Sequence, residues 1–271
     1  MTGPIFDTHA HYSSRAFDAD RIALLDSLPD KGVVGVCEQA THSGDAPRVL
    51  ELAHRYPWVV AAIGIHPESL LPAADCGEEG PAPTVSVYGG DWAAEMQALM
   101  PYYDDPKVVA VGECGLDYHW PVPKDAQLAL FEAEIRLALE LDKPIIVHDR
   151  QAHADVYALL KKYRPKGIVH CYSGSAEDAV QLAAQGLYIG FGGACTFNGA
   201  KRAAKAIEAL PLDAIVLETD CPYMAPEPVR GTRCDSSLIR YVGAYIAQRK
   251  ALAPEEVFRT TAENARQVYS L

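Results

Sequence analysis

The segment Asp7-Thr8-His9-Ala10-His11 sets two histidines two residues apart. On an extended chain such neighbours project from one face, so both imidazoles can meet one metal ion. Glu113, His148, His170 and Asp220 recur in comparable places, each just beyond a short apolar run. No equivalent cluster stands at the amino ends of those runs. Four imidazoles and two carboxylates suit borderline divalent ions better than a pure oxygen cage would. Six ligands exceed the three or four of a mononuclear catalytic zinc, so the expected cofactor is two divalent ions, drawn from Zn²⁺, Mn²⁺, Mg²⁺ or Co²⁺. Glu113 lies in the middle of the set and has two oxygens with which to bridge. Two ions about 3.5–4 Å apart lower the pKa of a bridging water and hold the attacking and leaving oxygens. Asp220 could then bind one ion and accept the water's proton.

Such a set needs a frame that gathers strand ends. Val- and Ile-rich runs at residues 4–7, 33–36, 59–65, 108–111, 145–147, 168–169, 187–191 and 214–217 read as strands buried on both faces. Helical stretches separate them. Ser175-Ala176-Glu177-Asp178 has the form of a capping box, and Gly186 stands where a helix-terminating glycine belongs. Residues 125–142 carry Leu128, Phe131, Ile135 and Leu139 as an expected core-facing stripe. The runs recur about every 30 residues, the length of a βα unit. The expected fold is therefore α/β, a TIM (β/α)8 barrel forming one domain over residues 1–271. Its active site would lie at the carboxyl ends of the strands. After Pro254 a helical pattern resumes, which predicts an extra C-terminal helix outside the barrel. A doubly wound open sheet is the alternative, because strand runs alone do not reveal closure. Residues 71–90 have no period and many breakers. They should rise over the active face and gate substrate size.

Composition excludes several classes. With 49% hydrophobic residues in 271, the chain buries a sizeable core, so disordered and fibrous classes are out. Its net charge of −12 argues against a protein that coats nucleic acid. No run approaches the roughly 18 apolar residues of a membrane span, and the first residues lack a signal-peptide pattern. Seven scattered cysteines with no C-x-x-C pair read as reduced thiols of a cytoplasmic protein. Cys114 and Cys221 adjoin proposed ligands, but strand alternation turns them away from the site. Neither a G-x-S-x-G elbow nor a P-loop occurs.

The sequence resembles the TatD family of metal-dependent DNases, within the amidohydrolase-like TIM barrels. The resemblance runs from Phe6 to the last helix. It is carried by Asp7-Thr8-His9-Ala10-His11, Gly64-Ile65-His66-Pro67, Gly112-Glu113-Cys114-Gly115-Leu116-Asp117-Tyr118 and His148-Asp149-Arg150. His170-Cys171-Tyr172-Ser173-Gly174, Glu218-Thr219-Asp220-Cys221-Pro222-Tyr223 and Arg230-Gly231-Thr232-Arg233 follow in order. The resemblance implies a two-metal phosphodiesterase acting on DNA from the 3′ end. His9, His11 and Asp220 would hold one ion, His148 and His170 the other, and Glu113 both. His66 would lie near the scissile phosphate as a catalytic and substrate-binding group. Two segments depart from the family pattern: Cys234-Asp235-Ser236 stands where Asn-x-Pro is usual, and His148-Asp149-Arg150-Gln151-Ala152 where His-Ser-Arg-Asp-Ala is usual.

Phosphate also needs donors other than metal, and the guanidinium fork suits it. Arg150 and Arg233 are the expected contacts, with Arg230 also within reach of the mouth. Among aromatic residues, Tyr118 joins the expected substrate contacts. Trp120, Tyr172 and Tyr223 could stack bases, the alternative being rim packing. Lys201, Arg202 and Lys205 form the densest basic cluster and read as a solvated face. The expected substrate is a DNA 3′ end or a small phosphodiester, and a monomer is favoured. The main alternative is another metal-dependent barrel hydrolase acting on a small phosphoester, lactone or amide. A barrel with vestigial metals and a binding outer face is the non-enzymatic one.

Overall fold

A computed structural model describes residues 3–71 and 88–271. Most of the 71–90 segment, including Cys76, lies outside the described residues. Among the described residues, eight strands form one sheet in the order β1 to β8. That sequential order removes the doubly wound alternative, whose strand order reverses at a switch point. The chain falls into two compact units, Met1–Cys37 with Ile168–Leu271, and Glu38–Gly167.

In the first unit, β1 (Ile5–Ala10) is followed by α1 (Arg21–Ser27) and leads to β2 (Val33–Gln39). After β6 (Gly167–Val169) come α6 (Ala176–Ala184), β7 (Leu187–Phe191), α7 (Lys201–Ala209), β8 (Ile215–Leu217), α8 (Ile239–Lys250) and α9 (Pro254–Tyr269). α6 starts as expected: Ser175 Oγ accepts the Asp178 N–H at 3.0 Å. Gly186, at φ +94°, ends the stretch. β7 and β8 pair in parallel through Ile189↔Ile215 and Phe191↔Leu217. The extra helix α9 is tied to β1 by Tyr269 Oη, which donates to the Thr8 carbonyl at 2.8 Å. Asn264 Nδ2 of the same helix donates to the Ile215 carbonyl at 2.7 Å.

The second unit holds α2 (Ala46–Arg55), β3 (Val59–Ile63), α3 (Trp92–Leu99), β4 (Val108–Asp117), α4 (Lys124–Glu140), β5 (Ile145–Arg150) and α5 (His153–Tyr163). β4 runs six residues beyond the apolar run that announced it, to Asp117, and β1 likewise extends to Ala10. Glu113 and His9 therefore stand within strands, not after them. β4 continues because its ladder with β5 runs on through polar residues, pairing Gly115↔His148 and Asp117↔Arg150. The register shifts between Val111 and Cys114, around Glu113, the kind of irregularity that re-aims a side chain. A Cβ on Gly64 would lie 2.7 Å from Gly112 Cα. The segment leading to His66 and the strand carrying Glu113 approach closely for that reason.

The expected stripe on α4 needs correction. Phe131 and Ile135 are buried, but Leu139 is 46% exposed. The buried face instead runs through Gln127, Leu130, Phe131, Glu134, Ile135 and Ala138. Polar Gln127 and Glu134 hid it, because both are buried to bind backbone: Glu134 Oε1 accepts the Ile65 N–H at 2.8 Å.

Burial pushes the Glu134 carboxyl well above its ordinary range, so the fold holds its proton to higher pH than the unfolded chain does. An unfolded glutamate ionises above about pH 4.3, and folding must then return its proton. Its contribution to stability is therefore full below that pH and declines as pH rises. Glu134→Gln keeps an acceptor for Ile65 and has no proton to recover. Melts of the metal-free protein should show no gain for the variant near about pH 4 and a growing gain toward about pH 8. A pH-independent difference would mean that Glu134 is charged in the fold.

Candidate metal centres

In the first unit, β1 delivers His9 and the residues just past it deliver His11, with their Nε2 atoms 3.1 Å apart. Asp220 Oδ1 lies 3.3 Å from His11 Nε2 and 3.7 Å from His9 Nε2. The backbone locks this triad. Asp220 N–H donates to the His9 carbonyl at 2.9 Å, and His11 N–H to the Cys221 carbonyl at 3.0 Å. Asp220 itself adopts φ +59°, a left-handed turn three residues past the end of β8. His170 follows β6 and stacks flat on His9, centroids 3.9 Å apart. Burial alone would raise the Asp220 carboxyl, but the hydrogen bond from His11 and the charges of His9, His11 and His170 hold it below its usual value.

Two carboxylates stand behind these ligands. Asp7 is fully buried and accepts from Thr219 Oγ1 at 2.6 Å, Thr219 N–H at 3.0 Å, Ser236 Oγ at 2.7 Å and His9 N–H at 3.2 Å. Burial nevertheless pushes it up to about 7. Glu218 Oε1 accepts the Cys171 N–H at 2.5 Å and lies 3.6 Å from His170 Nδ1. Both carboxylates hold the backbone that aims His9, His170 and Asp220.

In the second unit, His66 follows β3 and caps the short turn Pro67–Leu70, its Nδ1 accepting the Glu68 N–H at 3.2 Å. Glu113 Oε1 lies 3.1 Å from His148 Nδ1 and 3.6 Å from His66 Nε2. The two imidazoles meet edge to face, with centroids 4.4 Å apart. On the far side of His148, Nε2 lies 3.0 Å from Asp117 Oδ2. Burial would raise Asp117, yet the hydrogen bond and charge of His148, then the His119 N–H, hold it low.

Each unit thus holds a triad, His9–His11–Asp220 or His66–Glu113–His148, whose ligand atoms lie within 4.8 Å of one another. Nitrogen and oxygen donors at that spacing fit a divalent ion of the zinc or manganese type. Cys114 and Cys221 are buried, and Cys114 Sγ donates to the Ile146 carbonyl, as alternation requires. The six described cysteines are thiols.

The expected substrate contacts are less gathered. Arg150 ends β5, exposed, with its carbonyl accepting the Tyr118 N–H at 2.9 Å. Tyr118 Oη donates to Asp155 Oδ2 at 2.6 Å, and Lys124 Nζ sits 3.9 Å from its ring centroid. Arg233 is forked onto Asp20 at 2.8 and 2.6 Å, over the Phe17 ring. Arg230 lies over Phe197. Trp120 and Tyr223 are exposed, whereas Tyr172 is buried with its hydroxyl on the Ser175 carbonyl. The departing residue Ser236 turns inward to Asp7 and Tyr12.

Sequence reading missed Asp7, Asp117 and Glu218 as site residues. A period of two along β1 from His9 reaches Asp7 and puts it on the same face, but does not separate it from a solvated strand end.

A model of TatD-related DNases matches residues 6–270. The chain belongs to this family. Its TatD-family relatives include YabD of Bacillus subtilis, described as a metal-dependent hydrolase. It is 36% identical over 271 residues, covering 98% of this chain and 99% of that one. The 3′-5′ ssDNA/RNA exonuclease TatD of Erwinia tasmaniensis is 28% identical, covering 98% and 100%. The crystal structure of YjjV, a TatD homolog from Escherichia coli K12, superposes with a TM-score of 0.86 at 28% identity over 98% of each chain. The protein is a metal-dependent hydrolase of the TatD family with a (β/α)8 fold. No helix among the described residues is long and apolar enough to cross a membrane.

Proposed function

We propose that this TatD-family hydrolase uses two divalent ions to cleave phosphodiester bonds, acting as a DNase that removes nucleotides from 3′ ends. The observation carrying the reading is the His9–His11–Asp220 triad in one unit, together with Glu113 Oε1 placed 3.1 Å from His148 Nδ1 in the other. Enzymes of the (β/α)8 class place their catalytic groups at the carboxyl ends of strands, and each triad is carried by the carboxyl-terminal halves of its strands or by the residues past them. His9, His11 and Asp220 would hold one ion, His148 and His170 the other, and Glu113 both. The chemistry supplied by the ions when bound is Lewis acidity, which brings water into the titrating range near neutral pH and offsets charge growing on phosphoryl oxygens.

The chain's own groups do the rest. Asp220, kept ionised by His11 and His9, receives the proton of the attacking water. His66 orients the scissile phosphate from its cap on the turn at Pro67. Arg150 binds a phosphate at the rim, and Arg233 joins it by exchanging Asp20 for the substrate. Tyr118 stacks or bonds at the same rim. The 3′-5′ exonuclease name of the Erwinia relative supports the substrate, and six described thiols are consistent with a cytoplasmic setting. A second reading, a smaller phosphodiester, draws on Arg233 and Tyr118, both engaged with the protein's own carboxylates.

Metal analysis with a substrate panel tests both. About two ions per loaded chain are expected, with DNA shortened from its 3′ end. Saturation at one ion would sink the two-ion reading. Turnover confined to small phosphodiesters would favour the second.

A further inference from the structure

His148 stands between two carboxylates. Its Nδ1 faces Glu113 Oε1 at 3.1 Å and its Nε2 faces Asp117 Oδ2 at 3.0 Å. Without a cation, a doubly protonated ring can donate to both. A metal ligand must give up one proton, and which nitrogen loses it decides whether His148 can serve the site beside Glu113. We infer that Asp117 is the positioning residue that keeps the proton on Nε2, so that Nδ1 presents its lone pair toward Glu113. This rests on the reading of His148 as a metal ligand.

The surroundings of Asp117 support the role. The side chain is fully buried, and its Oδ1 accepts the His119 N–H at 2.8 Å, which leaves Oδ2 aimed at His148. The backbone is clamped on both sides: Asp117 N–H donates to Gln127 Oε1 at 2.8 Å, and Gln127 Nε2 donates to the Asp117 carbonyl at 2.9 Å. The carboxylate is thus fixed in rotation as well as position. A carboxylate behind a ligating imidazole sets its tautomer and ring angle and raises its basicity.

Asp117→Asn isolates this function. The amide retains an oxygen for the His119 N–H, and turning the amide over would set two donors against each other there. Its NH₂ group must therefore face His148 Nε2 and force that nitrogen to become the acceptor. The ring proton moves to Nδ1, the atom that should meet the metal, as in other histidines whose orienting aspartate becomes asparagine.

Zn²⁺ titrations of metal-stripped full-length wild type, Asp117→Asn and His148→Ala, in competition with a chelator, test the inference. In Asp117→Asn, the ion that depends on His148 should bind about 10–100-fold more weakly, while the other ion binds as in wild type. Unchanged affinity for both ions would overturn the assignment. If His148→Ala also binds both ions as tightly as wild type, the ligand reading fails and takes this inference with it. Long-range ¹⁵N NMR of the zinc-loaded wild type checks the tautomer without any substitution. Nε2–H on His148 is expected, and Nδ1–H would refute the role of Asp117.

Discussion

Asp220→Asn should abolish most turnover while the chain melts near the wild-type temperature. The carboxylate lies within 3.7 Å of both His9 and His11 Nε2, and its backbone N–H is fixed to the His9 carbonyl. Asparagine keeps that backbone bond and one oxygen ligand, but it has neither a negative charge nor the basicity to take a proton. Loss of a general base alone costs about 10²–10⁴-fold, and a weakened ion adds to it. The competing view makes Asp220 a purely structural turn residue, held at φ +59° between β8 and Cys221-Pro222. Asparagine is among the residues that tolerate such a conformation, so on that view it should leave both stability and rate nearly intact. Melting temperature, metal content and turnover measured together separate the two. A stable, metal-replete Asp220→Asn enzyme within about tenfold of wild type would remove the residue from the mechanism.

What the sequence made legible follows from which chemistry has alternatives. Metal binding needs imidazole and carboxylate in number, and a barrel repeats its strand ends, so His9, His11, Glu113, His148, His170 and Asp220 stood out together. Asp7, Asp117 and Glu218 did not, although each lies within a recognised segment. A carboxylate that binds backbone or the back of an imidazole is, in sequence, indistinguishable from a solvated strand end. The same ambiguity misled the reading of α4, where buried Gln127 and Glu134 broke the apolar period and an exposed Leu139 completed a false one. Strand lengths fell short for a related reason. β4 carries Glu113 and Asp117 inside its ladder, where hydropathy alone ends the strand at Val111. The arginines expected at the rim show a further limit: residue type specifies an affinity for carboxylate and phosphate alike, and Arg233 is bonded to Asp20.

Glu113→Gln should reduce metal loading from about two ions to about one, and reduce turnover with it. Glu113 is 4% exposed, and its Oε1 lies 3.1 Å from His148 Nδ1. As the proposed shared ligand it must supply an oxygen to each ion and a full negative charge to the pair. Glutamine has one oxygen, and its NH₂ group would offer a proton to the very nitrogen that should bind metal. Loss of an outer partner typically weakens a metal about 10–100-fold, so loss of a shared direct ligand should cost at least that. The plainer alternative is that Glu113 is only the buried partner of His148. Breaking such a pair costs about 3–5 kcal/mol, and the metal-free variant would then melt well below metal-free wild type. Metal stoichiometry measured beside metal-free melts decides between them. Two ions retained at wild-type affinity, in a variant whose metal-free form is destabilised, would make Glu113 a structural partner and leave the second ion to other ligands.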